Sequence, residues 1–162
     1  MSNKNSNNKE LIVAKIDNGV VIDHITPPGR AFYALKVLKI DEKYPHSAFV
    51  ALNVPSKKLG RKDVLKIRNI DEKDLNIEVL GLIISGSNVA YIKDYHIVKK
   101  EKIITPKKAT GILNCPSSTC ITNQREDVET QFVVITSKDV IKLRCEYCDI
   151  IFNIHERISL LR

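Results

Sequence analysis

Four cysteines carry the clearest chemistry in this sequence. Cys115 and Cys120 are separated by four residues, Cys145 and Cys148 by two, and 24 residues lie between the pairs. A close cysteine pair folds into a tight knuckle that offers two sulfurs to one metal, and two knuckles complete a tetrahedral thiolate set suited to Zn²⁺. Four thiolates leave no open position for water or substrate, so the expectation is one structural zinc per chain. All four cysteines lie after residue 114. The polar N-terminal stretch MSNKNSNNKE lacks the apolar core of a signal peptide, which points to a cytoplasmic protein, where structural disulfides are disfavoured.

The remaining polar residues suggest no reaction. None of the four histidines, His24, His46, His96 and His155, has zinc-ligand spacing with another. The sequence offers no Ser-His-Asp or Cys-His arrangement and no Gly-rich phosphate loop. It reads as non-enzymatic. Nor is there an apolar run long enough to span a bilayer.

The formal charge is +7, and its distribution is uneven. Residues 106–162 hold 8 basic and 7 acidic residues, leaving 18 basic and 12 acidic residues in the first 105. A positive N-terminal part suits an anionic ligand such as a nucleotide, or nucleic acid.

These groups need elements to hold them. Residues 11–16, LIVAKI, read as a strand, followed by turn chemistry at Asp17-Asn18-Gly19 and a second strand segment, Val20 to Ile25. Pro27-Pro28-Gly29 breaks it, and Ala31, Leu35 and Leu38 then recur at helical spacing. Ala48 to Val54 and the stretch around Val64, Leu65 and Ile67 read as strands. Asp71 is the expected cap of a second helix with Leu75, Val79, Leu82 and Ile83 on its apolar face. Val89 to Val98 is expected as one strand, bent near Asp94. The order strand, helix, strand, strand, helix, strand is that of a ferredoxin-like α/β sandwich, whose helices cover one sheet face and leave the other free.

Residues 101–110 read as a linker. Short strands at Gln131 to Thr136, Val140 to Arg144 and Asp149 to Ile154 surround the cysteines. The predicted class is α+β: a disordered stretch at 1–10, a ferredoxin-like domain at 11–104, and a small antiparallel β zinc-binding domain at 105–162. A domain of that size has too little core to fold unaided, which independently favours a metal.

The segments VVIDHI, LNVPSKKLGRKDVLKI, NCPSSTC and RCEYC, in this order, resemble the regulatory chain of aspartate carbamoyltransferase. The resemblance covers nearly the whole chain beyond the first ten residues. It implies an N-terminal effector domain that binds CTP, ATP and often UTP, and a C-terminal zinc domain that contacts the catalytic chain. It also implies a regulatory-chain homodimer, three such dimers joining two catalytic trimers, no catalytic activity in this chain, and a role in controlling pyrimidine biosynthesis.

Carried over residue by residue, the resemblance puts Asp23 and His24 at the nucleotide site. It puts Lys66 at the ribose and phosphates, Lys100 near the triphosphate, and Ile16, Ile92 and Tyr95 at the base. Phosphate oxygens call for fixed ammonium groups, and a base for apolar walls with a few polar contacts. Four positions depart from the pattern. Ala14 and Ala90 stand where relatives can have an acidic residue and asparagine, which bears on base selectivity. Ser117 and Thr119 stand where asparagines can occur near the catalytic chain. The competing reading is a nucleic-acid-binding zinc ribbon. It expects a basic, aromatic-studded surface around the metal, whereas this region is nearly neutral, with Phe132, Tyr147 and Phe152 as its aromatics.

Overall fold

A computed structural model describes residues 15–162. The stretch expected to be disordered and most of the LIVAKI segment lie outside the described residues, and Lys15 and Ile16 are not in a strand.

The N-terminal sheet has five strands: β1 (Gly19–Ile25), β2 (Ala48–Ser56), β3 (Gly60–Arg68), β4 (Asn88–Lys93) and β5 (His96–Lys102). Their order is β2-β3-β1-β4-β5, all neighbours antiparallel. The first four make the ferredoxin-like arrangement, and β5 extends it at one edge. β2 runs past Pro55 to Ser56. It forms the opposite edge, where a missing N–H costs no ladder bond.

Two short helices, α1 (Ala31–Val37) and α2 (Ile77–Ile83), join the core. Ala31, Ala34 and Leu38 come from α1 and its end, and Val20, Ile22, Leu65, Ile67, Val89 and Tyr91 from the sheet. Alternation along each strand then sends the intervening residues to the open face.

The structure corrects several local expectations. The expected strand Val89–Val98 is a hairpin, because Asp94 and Tyr95 both take positive φ (48° and 65°) and turn the chain back. The β5 return occupies the start of the expected linker, and the end of that linker forms β6 (Lys108–Thr110). Asp71 precedes only a 3-10 turn, Glu72–Asp74, and caps nothing. The helix cap is Asn76, whose side chain accepts from the Val79 amide at 3.2 Å.

Two irregularities shape the sheet. β1 bulges between Ile22 and Ile25, and β2 between Ala51 and Val54. The fully buried Asp63 on β3 ties the β2 bulge to the loop that leads from β1 into α1. Its Oδ2 accepts from the Gly29 amide at 2.6 Å and the Ala31 amide at 3.2 Å, and its Oδ1 from the Asn53 amide at 2.8 Å. In β5, Ile97 pairs with Ile92 and Lys99 with Tyr91, so Val98 is an extra, bulged residue.

The C-terminal sheet has the order β6-β7-β8-β9, with β7 (Gln131–Ser137), β8 (Val140–Cys145) and β9 (Ile151–Asn153). Phe132 and Phe152 meet edge to face at 5.6 Å in its core. The chain end packs back, as Leu161 bridges Leu113 and the Asn114 amide donates to the Leu160 carbonyl at 2.9 Å.

The two sheets share one apolar core through α2, in which Val79 to Ile83 are all buried. A helix apolar all round needs cover on both sides. One side faces the first sheet, and the other meets the chain leading into the second. A Cβ at Gly81 would overlap the Ile104 carbonyl oxygen. His155 Nε2 reaches the Ile83 carbonyl at 3.1 Å, and Arg30 donates to the Asp139 carbonyl at 2.8 Å.

Candidate functional site

The first candidate site is the cysteine cluster. Cys115 and Cys120 flank a loop, with Cys120 at the start of α3 (Ile121–Gln124), while Cys145 ends β8 and Cys148 follows in the turn to β9. Asn123 closes the first knuckle by donating to the Cys115 carbonyl at 2.8 Å and the Ser117 carbonyl at 2.7 Å. In the second, the Asp149 amide donates to the Cys145 carbonyl at 3.0 Å, with Asp149 at φ 59°.

The four sulfurs lie within 4.8 Å of one another, with Cys115 to Cys148 at 3.6 Å and Cys120 to Cys145 at 3.8 Å. Tetrahedral zinc with Zn–S bonds of about 2.3 Å needs sulfurs about 3.8 Å apart. Burial pushes the Cys115 and Cys145 thiols up. Burial acts on Cys120 too, but the Thr122 hydroxyl and amide outweigh it and hold that thiol at about 7. Thiols crowded this way, three of them buried, stay together as thiolates when a cation supplies the compensating charge. The donor set, spacing and closure fit one structural zinc. The metal would fasten the two knuckles and so the small sheet.

The second candidate site lies on the open face of the five-stranded sheet, and strand register builds it. Lys66 on β3 pairs with Val21 on β1, Val21 with Ala90 on β4, and Ala90 with Lys100 on β5. Directly paired residues share a face, so these four form one row across the sheet. Three strand spacings separate the lysine Cα atoms by about 14 Å. The lysines form the rims, and Val21 and Ala90 a low apolar floor. The next row runs Asp23, Asn88 and Lys102, and on the other side Ile92 pairs with Ile97. Together they line a cleft of 530 Å³.

The β1 bulge supplies the polar end of this cleft. His24 takes φ 62° there, and its own amide donates to Asp23 Oδ1 at 2.6 Å. His24 Nδ1 lies 3.4 Å from Asp23 Oδ2 and 3.4 Å from the side-chain Nδ2 of Asn88. Lys62 reaches Asp23 at 2.8 Å. Burial lowers the Lys66 ammonium below its ordinary range, against the pull of the Asp23 carboxylate. A partly desolvated ammonium gains most when an anion arrives.

Residues 11–104 match the family model described as aspartate carbamoyltransferase regulatory chain, allosteric domain. Residues 107–158 match the metal binding domain of the same regulatory chain. The chain belongs to the aspartate carbamoyltransferase regulatory chain family. It is 41% identical to the regulatory chain of Sulfolobus acidocaldarius, over 94% of this chain and 92% of the relative. Against that of Aeropyrum pernix it is 42% identical, over 92% and 96%. Against that of Ignicoccus hospitalis it is 44% identical, over 86% and 89%.

Membership in the aspartate carbamoyltransferase regulatory chain family identifies the chain as a non-catalytic subunit and displaces the nucleic-acid-binding zinc ribbon reading. The structure brings five of the seven residues named for the nucleotide, Asp23, His24, Lys66, Ile92 and Lys100, into the open-face cleft. Ile16 is buried and Tyr95 is exposed at the β4–β5 turn, and neither lines that cleft. The Ala14 departure lies outside the described residues. Sequence reasoning did not single out Lys102, Asn88, Val21 or Ile97, which also line it. Period-two alternation from Lys100 would have found Lys102, whereas Asn88 and Val21 require the strand register.

Proposed function

We propose that this chain is the nucleotide-sensing subunit of an aspartate carbamoyltransferase assembly. In this reading CTP, ATP and UTP bind the open-face cleft, and the zinc-bound C-terminal domain seats on the catalytic chain. The observation that carries the reading is the row Lys66, Val21, Ala90, Lys100. It offers ammonium groups on both sides of a small apolar floor, as a nucleotide with a charged phosphate chain requires. Lys66, Lys100 and Lys102 would meet the phosphates, and His24 could add a donor. Ile92 and Ile97 would wall the base, with Ile16 and Tyr95 approaching it from outside the cleft. Asp23 holds Lys62 and orients His24. No group here attacks or transfers a proton to a substrate, so the role is binding coupled to a second site. Family membership also supports a homodimer of this chain, and two catalytic trimers joined by three such dimers.

The test is a calorimetric titration of ATP and CTP. Each charge-assisted hydrogen bond to a phosphate contributes about 1.5–3 kcal/mol, so Lys66→Ala should weaken both nucleotides about 10- to 150-fold. Ala90→Asn should instead change the ratio between them, because the floor lies under the base and not the phosphates. Unchanged affinity for both nucleotides in Lys66→Ala would refute the site.

A further inference from the structure

Among the described residues β5 is an edge strand, held in the sheet by β4 alone. It nevertheless carries Lys100 and Lys102, both lining the cleft. Its alternate residues, Lys99 and Glu101, pair with Tyr91 and Val89, which point into the core. They make a connected cluster whose register is that of the core-facing residues, although Glu101 also borders the cleft. Tyr91, only 7% exposed, donates its hydroxyl to Glu101. Lys99 binds Glu72, lies 3.7 Å from Glu101, and sits 4.9 Å above the Tyr91 ring. Glu72 belongs to the 3-10 turn before α2, so the cluster joins the edge strand to a second element.

We propose that Lys99, with Glu72, Glu101 and Tyr91, is a positioning cluster that fixes β5 and so sets the Lys100 and Lys102 ammonium groups at the cleft. The inference rests on the effector-site reading above. Two long lysine side chains on a strand with one neighbour would lose much of their preorganisation if that strand moved. The clamp fixes the strand with Lys99, Glu72 and Tyr91 outside the cleft lining and Glu101 at its border. The Tyr91 hydroxyl and the Lys99 ammonium converge on one carboxylate, which resists fraying better than an isolated exposed ion pair.

Simple charge and positioning predict opposite signs at Glu72. Glu72→Gln removes a negative charge, so an electrostatic effect alone would strengthen nucleotide binding. Loss of the clamp would weaken it. Titration of ATP into the full-length chain should show Glu72→Gln and Lys99→Ala each binding about three- to fivefold more weakly, the upper part of the range for one exposed ion-pair contact. Lys99→Arg, which can still bridge both carboxylates, should bind within about twofold of the parent. Hydrogen exchange of the β5 amides should quicken in Lys99→Ala and not in Lys99→Arg. Unchanged or tighter binding by Glu72→Gln, while Lys100→Ala weakens ATP, overturns the clamp and leaves the nucleotide site standing. If Lys100→Ala also binds like the parent, the effector-site reading itself fails.

Discussion

Removing the Asp63 carboxylate should be among the most damaging single changes in the N-terminal domain. The side chain is fully buried and accepts from three backbone amides, Gly29, Ala31 and Asn53. These belong to the loop before α1, the first turn of α1 and the β2 bulge. Asp63→Ala leaves all three donors without that partner, the Ala31 amide buried and those of Gly29 and Asn53 nearer the surface. Stranding a buried donor costs about 1–3 kcal/mol, and relaxation toward water recovers part of the sum. A loss of about 3–5 kcal/mol is therefore expected, and for a chain of this size it lowers Tm by about 6–20 °C. Asp63→Asn keeps one oxygen, which can serve the Gly29 and Ala31 amides or the Asn53 amide but not both sets. It should lose roughly half as much. Urea melts give the free energies, and hydrogen exchange at Gly29, Ala31 and Asn53 locates the damage. An Asp63→Ala variant within about 1 kcal/mol of the parent would refute the claim that this carboxylate staples the β2 bulge to the start of α1.

Two further outcomes follow from the small domain and its seat on the first. Cys145→Ser should lower bound zinc from about one per chain to near none and unfold the β6–β9 sheet, because three thiolates no longer close the tetrahedron; metal analysis and circular dichroism check this, and full zinc retention would contradict it. Burial between the domains lowers His155 below the usual histidine range, with the Ile83 carbonyl opposing and the Arg30 charge adding. The folded state thus disfavours the imidazolium, so stability should be full above about pH 6.5 and fall as pH drops toward the lowered value. His155→Gln should flatten that part of the profile in thermal melts from pH 7.5 to 5, and an unchanged slope would exclude His155 as its source.

The metal centre was legible because its information lies in residue type and spacing, which need no sheet to be read. The ferredoxin-like order was legible from alternating strand and helix patterns. The hairpin was not, because Asp94 and Tyr95 are poor turn markers. Aspartate tolerates positive φ, but a bulky tyrosine rarely adopts it, and no glycine announces the reversal. Asp71 drew the helix cap because its type suits one, yet the chain inserts a 3-10 turn and hands the role to Asn76. The cleft was named only through resemblance. Its residues are scattered over four strands, and the rows that unite them exist only once register is set.

The bulge at Val98 has a consequence for how this hairpin tolerates change in length. It sets which of two adjacent lysines looks toward the cleft. With the bulge, the open face receives Lys100 and Lys102, and the opposite face receives Lys99 and Glu101. Were Val98 drawn into the ladder opposite Tyr91, Lys99 would move beside Ala90 and Glu101 would follow on the same face. The β5 contribution to the cleft would then fall from two positive charges to a cancelling pair, with no substitution anywhere. Excision of Val98 would leave Lys99 opposite Tyr91 and Lys100 opposite Ala90, in a regular ladder. Insertion of one more residue beside it would threaten the pairing. The hairpin should therefore accept a deletion at this point more readily than an insertion, and the sign of its face is written in a count of residues as much as in their kinds.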